Sequence, residues 1–198
     1  MTHWLFFAFL FVVSVSETTA QTSPTELVEV RCPSVLGIGQ DTEIPFCDIQ
    51  VQQDPKLGIL VVLPPHQNEA VLSFNLHNRH TYSEIEERSG RAYTKYLASI
   101  AVANMDGEVL ARGVVLSEFR GVVDLIDRVK GGSDLNGLKA IAPIGSERVY
   151  LTVPSSVNIV SIVGQSLEVV RSNNRDIFRS IDRPIAVLSD AKLEYRSR

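Results

Sequence analysis

The stretch Tyr96-Leu97-Ala98-Ser99-Ile100-Ala101-Val102-Ala103-Asn104-Met105-Asp106-Gly107-Glu108-Val109-Leu110-Ala111-Arg112-Gly113-Val114-Val115-Leu116 decides the fold. Asp106-Gly107 separates two apolar-rich runs, Tyr96–Met105 and Glu108–Leu116, and suits the positive φ angles of a type I′ hairpin turn. A two-residue loop pairs Met105 with Glu108, Asn104 with Val109 and Val102 with Ala111. Ile100, Val102, Val109 and Val115 then share one face, the expected core. Ala101, Ala103, Leu110 and Arg112 share the other, which is expected to be partly wet. A longer loop over Asn104–Gly107 slips the pairing by one residue, and the faces no longer match.

Working outward, short strand patterns punctuated by Gly, Pro, Asn and Asp fill most of the chain. Ala70–Leu76 alternates Val71, Ser73, Asn75 against Leu72, Phe74, Leu76, as a half-buried strand does. Thr25–Arg31, Asp48–Gln52 and Leu57–Leu63 read as further strands, the last ending at Pro64-Pro65. Gly164-Gln165 fits a type II′ turn between Val157–Val163 and Ser166–Arg171. That hairpin places Val160, Ile162, Leu167 and Val169 on one face, with Ser161 and Glu168 toward solvent. Pro184–Tyr195 reads as a closing strand. The pattern predicts an all-β, antiparallel β-sandwich, immunoglobulin-like or jelly-roll-like. The strand–loop–strand–Asp-Gly–strand order of Val71–Val115 resembles a pattern common in secreted immunoglobulin-like sandwich modules. The resemblance implies fold only.

One segment breaks the β pattern. Val122, Leu125, Ile126 and Val129 recur at helical spacing, with Asp124 near the start, Arg128 and Lys130 near the end, and Gly131 at the C′ position. This predicts one short helix near 121–130, covering an open end of the sandwich.

The N-terminus reads as a cleavable secretory signal over residues 1–20. Leu5–Val15 is an apolar run of h-region length, too short to span a bilayer, and Thr18 and Ala20 are the small residues of a cleavage site. Its n-region has no Lys or Arg. Residues 21–198 then form a single domain, secreted or periplasmic, with no stable membrane insertion expected after cleavage. In that compartment the two cysteines, Cys32 and Cys47, read as one disulfide. The chain has 19 Lys and Arg against 23 Asp and Glu, a net charge of −4. A nucleic-acid partner is not expected from so mixed and mildly acidic a chain.

No motif carries an evident chemistry, and no catalytic residue, cofactor or metal site is assigned. His77-Asn78-Arg79-His80 spaces its histidines at i and i+3, which on a strand face opposite ways; a solvated strand end is expected. Gly131-Gly132-Ser133-Asp134-Leu135-Asn136-Gly137-Leu138-Lys139 has the glycine spacing of a P-loop without its Lys-Ser/Thr, and part of a calcium loop without its closing Glu. It reads as a helix stop and a turn into a strand over Leu138–Ala142. Gly164-Gln165-Ser166 lacks the second glycine of a nucleophile elbow. Arg171, Arg175, Arg179 and Arg183 recur every fourth residue, but Ser172-Asn173-Asn174 interrupts any helix, so they fall across a hairpin.

The unusual surface stretch is Thr81–Tyr93, a long mixed-charge loop with two tyrosines. Long ordered loops on rigid sandwiches carry binding residues, and Tyr offers contact area with a polar tip. Tyr82, Glu84, Glu86, Arg88 and Tyr93 are therefore the candidate binding residues. A hairpin extension without a partner is the plain alternative. The expected function is an exported, non-enzymatic sandwich that binds another macromolecule, protein or glycan, at the cell surface, in the periplasm or outside the cell. A secreted hydrolase whose carboxylates converge in the fold is the alternative, and a structural envelope component the third.

Overall fold

The computed structural model describes residues 25–66, 68–78, 80, 81, 84–130, 140–143 and 147–195. The expected leader and the stretch Gly131–Lys139 lie outside them. The strands are β1 (Thr25–Leu27), β2 (Glu29–Arg31), β3 (Val35–Gly39), β4 (Pro45–Gln50), β5 (Ile59–Val62), β6 (Ala70–Asn78), β7 (His80–Thr81) and β8 (Thr94–Asn104). They continue as β9 (Val109–Phe119), β10 (Leu125–Lys130), β11 (Ala140–Pro143), β12 (Glu147–Val153), β13 (Ile159–Arg171), β14 (Arg175–Phe178) and β15 (Pro184–Tyr195). Among the described residues one short helix, α1, spans Glu84–Arg88, and 3-10 turns cover Pro55–Leu57 and Val122–Asp124.

Two antiparallel sheets pack into a β-sandwich, as the strand patterns predict. One has nine strands in the order β12-β6-β15-β4-β3-β10-β11-β7, with β1 added on β15. The other has six, β2-β5-β13-β8-β9, with β14 added on β13. Alternation supplies the core between them. Ile49, Leu72, Phe74, Ile185 and Leu193 of the first sheet meet Ile59, Ile100, Val115, Val160 and Ile162 of the second, all fully buried. Each such side chain stabilises the fold by roughly 1.5–3 kcal/mol. A second, smaller core of Leu36, Phe46, Val129 and Val187 forms separately.

The helix predicted near 121–130 is not there. Val122–Asp124 is a 3-10 turn and Leu125–Lys130 is a strand pairing β3 and β11. Val122, Val123, Ile126 and Val129 are β-branched, which lowers helix propensity and suits a pleated strand. Strand parity also puts Asp127 and Val129 on one buried side. The helix instead lies at Glu84–Arg88, inside the stretch read as a loop.

Gly164-Gln165 is not a hairpin turn either. β13 runs through it without reversing, and the ladder to β8 shifts there, with Gly164 opposite Ile100 and Ser166 opposite Ser99. The glycine is required by close approach: a Cβ would lie 2.7 Å from Ile185 Cδ1 and 2.8 Å from the Gln50 carbonyl oxygen. The extra residue of this bulge switches side-chain parity. Val160 and Ile162 before it, and Leu167 and Val169 after it, therefore share the core face. Ser161 is buried, not solvated; its hydroxyl donates to the Pro55 carbonyl at 2.6 Å.

The β8–β9 hairpin forms, with a different tip. Gly107 N–H donates to Asn104 O at 3.1 Å and Asn104 N–H to Glu108 O at 2.9 Å, so the loop is Met105-Asp106-Gly107 with Gly107 at φ 87°. Ala103 then pairs with Val109, and a bulge at Leu110 restores Val102 opposite Ala111. Val109 consequently turns outward at 42% exposure, while Leu110 packs against the core. Ala101 and Ala103, expected on a partly wet face, are buried.

Candidate interaction surface

The candidate binding residues that the structure describes gather at one end of the sandwich. On α1, Glu84 pairs with Arg88 at 3.7 Å, and Glu86 holds the Arg91 guanidinium through two hydrogen bonds of 3.1 Å. Tyr93 donates its hydroxyl to Glu118 at 3.3 Å, and the Arg120 guanidinium lies 5.7 Å from its ring centre. Arg120 also pairs with Glu118 at 3.3 Å. Glu118 and Arg120 come from the end of β9 and just beyond it, and the sequence reading did not name them. They reach Tyr93 because β9 returns antiparallel to β8, bringing Phe119 opposite Thr94. Gly121 follows, within contact range of Glu87, so α1 and the Val122–Asp124 turn share this end. Ile85 and Val123 project here at 69% and 84% exposure. Tyr82 lies outside the described residues.

β9 borders this end as the last strand on its side of the six-stranded sheet. Among the described residues no strand pairs with its outer edge. Its outward residues include Val114 at 50% and Leu116 at 46% exposure.

Two grooves lie elsewhere. One, of about 410 Å³, sits over the outward face of β8 and β13, lined by Val51, Pro55, Ala101, Ala103, Val163 and Arg179. The other, of about 560 Å³, is mostly apolar and runs beside the disulfide, lined by Leu27, Val30, Val35, Phe46 and Leu188. Cys32 and Cys47, bonded with Cα atoms 5.8 Å apart, are among its lining residues. Ser189 lines the second groove, and its buried hydroxyl lies 2.9 Å from His77 Nε2.

Several ionisable groups are taken out of water. Asp127, 2% exposed, accepts from the backbone N–H groups of Gln40, Asp41 and Thr42 at 3.1, 3.0 and 2.8 Å, and from the Thr42 hydroxyl at 2.7 Å. It pins the turn between β3 and β4. His77 does not lie at a solvated strand end: it is buried, edge-on to Phe46, with Nε2 2.9 Å from the Ser189 hydroxyl. Burial lowers its pKa to about 4. Asn78 beside it is buried too, donating to the Ser117 hydroxyl at 2.9 Å. On the outward side of β6, Arg148 binds Asp190 at 2.9 Å, Asn75 at 3.1 Å and Ser73 at 2.8 Å. The arginines spaced every fourth residue do fall across a hairpin: Arg171 pairs with Asp176, Arg175 with Glu168, and Arg183 stacks on Phe178. Among the described residues no group of three or more His, Cys, Asp or Glu is placed to hold a metal ion, and no helix is long and apolar enough to cross a membrane.

No protein-family model matches the chain, and no curated protein is similar enough to be paired with it. Among solved structures, it is similar to the infectious bursal disease virus VP2 subviral particle, at 12% identity and a TM-score of 0.27. It is likewise similar to the T13 IBDV viral particle, at 6% identity and a TM-score of 0.29. Each likeness covers 92% of this chain but only 37% and 35% of those chains, so this chain spans little more than a third of their length. Likenesses this weak carry no function across. What the chain itself presents is a two-sheet, disulfide-bonded sandwich with an exposed mixed surface at one end.

Proposed function

We propose that the protein is an exported, non-enzymatic β-sandwich that binds another macromolecule, protein or glycan, through the α1 end of the fold. One observation carries this reading. Tyr93 is held in place by Glu118 and Arg120, and Ile85 and Val123 are strongly exposed on the neighbouring α1 and 3-10 turn. A braced Tyr presents its area at low entropic cost, and such aromatics with Arg beside them anchor interfaces. The disulfide supports export, since such bonds persist in oxidising compartments. The test is affinity. The exported, disulfide-bonded protein is screened against arrays of extracellular glycans and surface proteins, and hits are re-measured with Tyr93→Ala, Ile85→Asp and Val123→Asp. About tenfold weaker binding for at least Tyr93→Ala is the expected result. Equal binding by all three variants places the contact elsewhere and overturns the reading.

A further inference from the structure

We propose that β9 pairs with β9 of a second copy of this chain, antiparallel about a two-fold axis at Val115, joining two six-stranded sheets edge to edge. This does not rest on the partner-binding reading, although Glu118, which braces Tyr93, belongs to both surfaces.

β9 is eleven residues long, and its outer edge is unpaired among the described residues. Long edges are ordinarily blunted by like-charged side chains, lysine above all, by proline or by bulges, whereas the two outward charges of β9, Arg112 and Glu118, are opposite in sign. Val109–Phe119 contains neither lysine nor proline, and its bulge at Leu110 disturbs only the hairpin tip.

The edge is also self-complementary. A two-fold at Val115 sets Arg112 opposite the partner's Glu118 and Glu118 opposite the partner's Arg112. It sets Val114 opposite the partner's Leu116, and the reverse. Beyond Val109 at the hairpin tip, these four are the exposed, outward residues of the strand. Opposite charges facing across strands stabilise pairing, and like charges oppose it. Apolar Val114 and Leu116 become covered in the same step. Arg112 makes no ion pair among the described residues, so it is free to take the partner's carboxylate. Glu118 holds Tyr93 and Arg120 at 3.3 Å each, one on each oxygen, and a carboxylate has lone pairs for a further donor. The contact is isologous, so it closes at a dimer instead of propagating.

The experiment is sedimentation equilibrium on the exported, disulfide-bonded chain beside Arg112→Glu, Glu118→Arg and the double exchange, with near-UV circular dichroism reporting the fold of each. The native chain is expected to dimerise. Each single exchange turns two attractive pairs repulsive and is expected to weaken the dimer about tenfold or more. The double exchange restores opposite charges and recovers the dimer. Hydrogen exchange on the native chain is expected to show protection over Gly113–Ser117 that rises with concentration. A monomeric native chain, a dimer indifferent to the single exchanges, or no recovery in the double exchange overturns the proposal. So does concentration-independent exchange along β9.

Discussion

Asp127 receives four hydrogen bonds from three consecutive residues, so its loss strands several donors at once. Asp127→Ala is expected to destabilise the fold by about 4 kcal/mol and Asp127→Asn, which keeps one acceptor oxygen, by about 2 kcal/mol. Urea unfolding of the two variants beside the native chain checks the order. His77 makes a prediction of opposite character, about protonation. Its pKa is about 4 in the folded state against 6.5 for the free side chain. Between those values the unfolded chain binds the extra proton, so the contribution of His77 is full above pH 6.5 and falls as pH drops toward 4. The whole loss is about 3 kcal/mol. His77→Gln is expected to flatten the acid side of a stability-against-pH curve over that window. An unchanged slope assigns the acid sensitivity to other groups.

Elements show where local pattern is a sufficient guide and where it fails. Gly164 belongs to a continuous strand, and Gly164→Ala drives a methyl into Ile185 and the Gln50 carbonyl. The expected cost is about 1–3 kcal/mol, read as a lower melting temperature, whereas a glycine in an open hairpin turn carries no such clash. Nothing near Gly164 in sequence reveals this, because Ile185 and Gln50 are brought to it only by folding. Parity explains why the face assignment for β13 nevertheless came out right: a bulge and a two-residue turn place the same four side chains on one face. At the β8–β9 tip the outcome was the reverse. The hairpin was legible from alternation around Asp106-Gly107, but a three-residue loop and the Leu110 bulge exchanged Val109 with Leu110. Over Val122–Lys130 two periodicities coexist, with positions 122, 125, 126 and 129 marking a helical stripe and 127 and 129 a strand face. Pairing with β3 and the hydrogen bonds waiting for Asp127 chose the strand. The candidate site was half legible. Tyr93 stood out as an aromatic in a charged loop, while Glu118 and Arg120 join it only through the return of β9.

Over the whole molecule, the disulfide is a fastener between layers. Cys32 follows β2 of the six-stranded sheet, and Cys47 lies within β4 of the nine-stranded one. Replacing both cysteines with alanine is expected to cost about 3 kcal/mol, through the freedom regained by the unfolded chain. Urea midpoints of the native chain with and without reductant should bracket that value. The last consequence comes from β1, which lies against β15 with Thr25 opposite Glu194. Thr25, where β1 starts, thus stands beside Tyr195, where β15 ends. Domains whose ends meet tolerate circular permutation: a short linker joining these positions, with a new opening in the exposed Met105–Gly107 loop, keeps every strand pair while reordering the chain. By the same geometry the sandwich can be spliced into a loop of a host protein as a cassette, entering and leaving through one doorway.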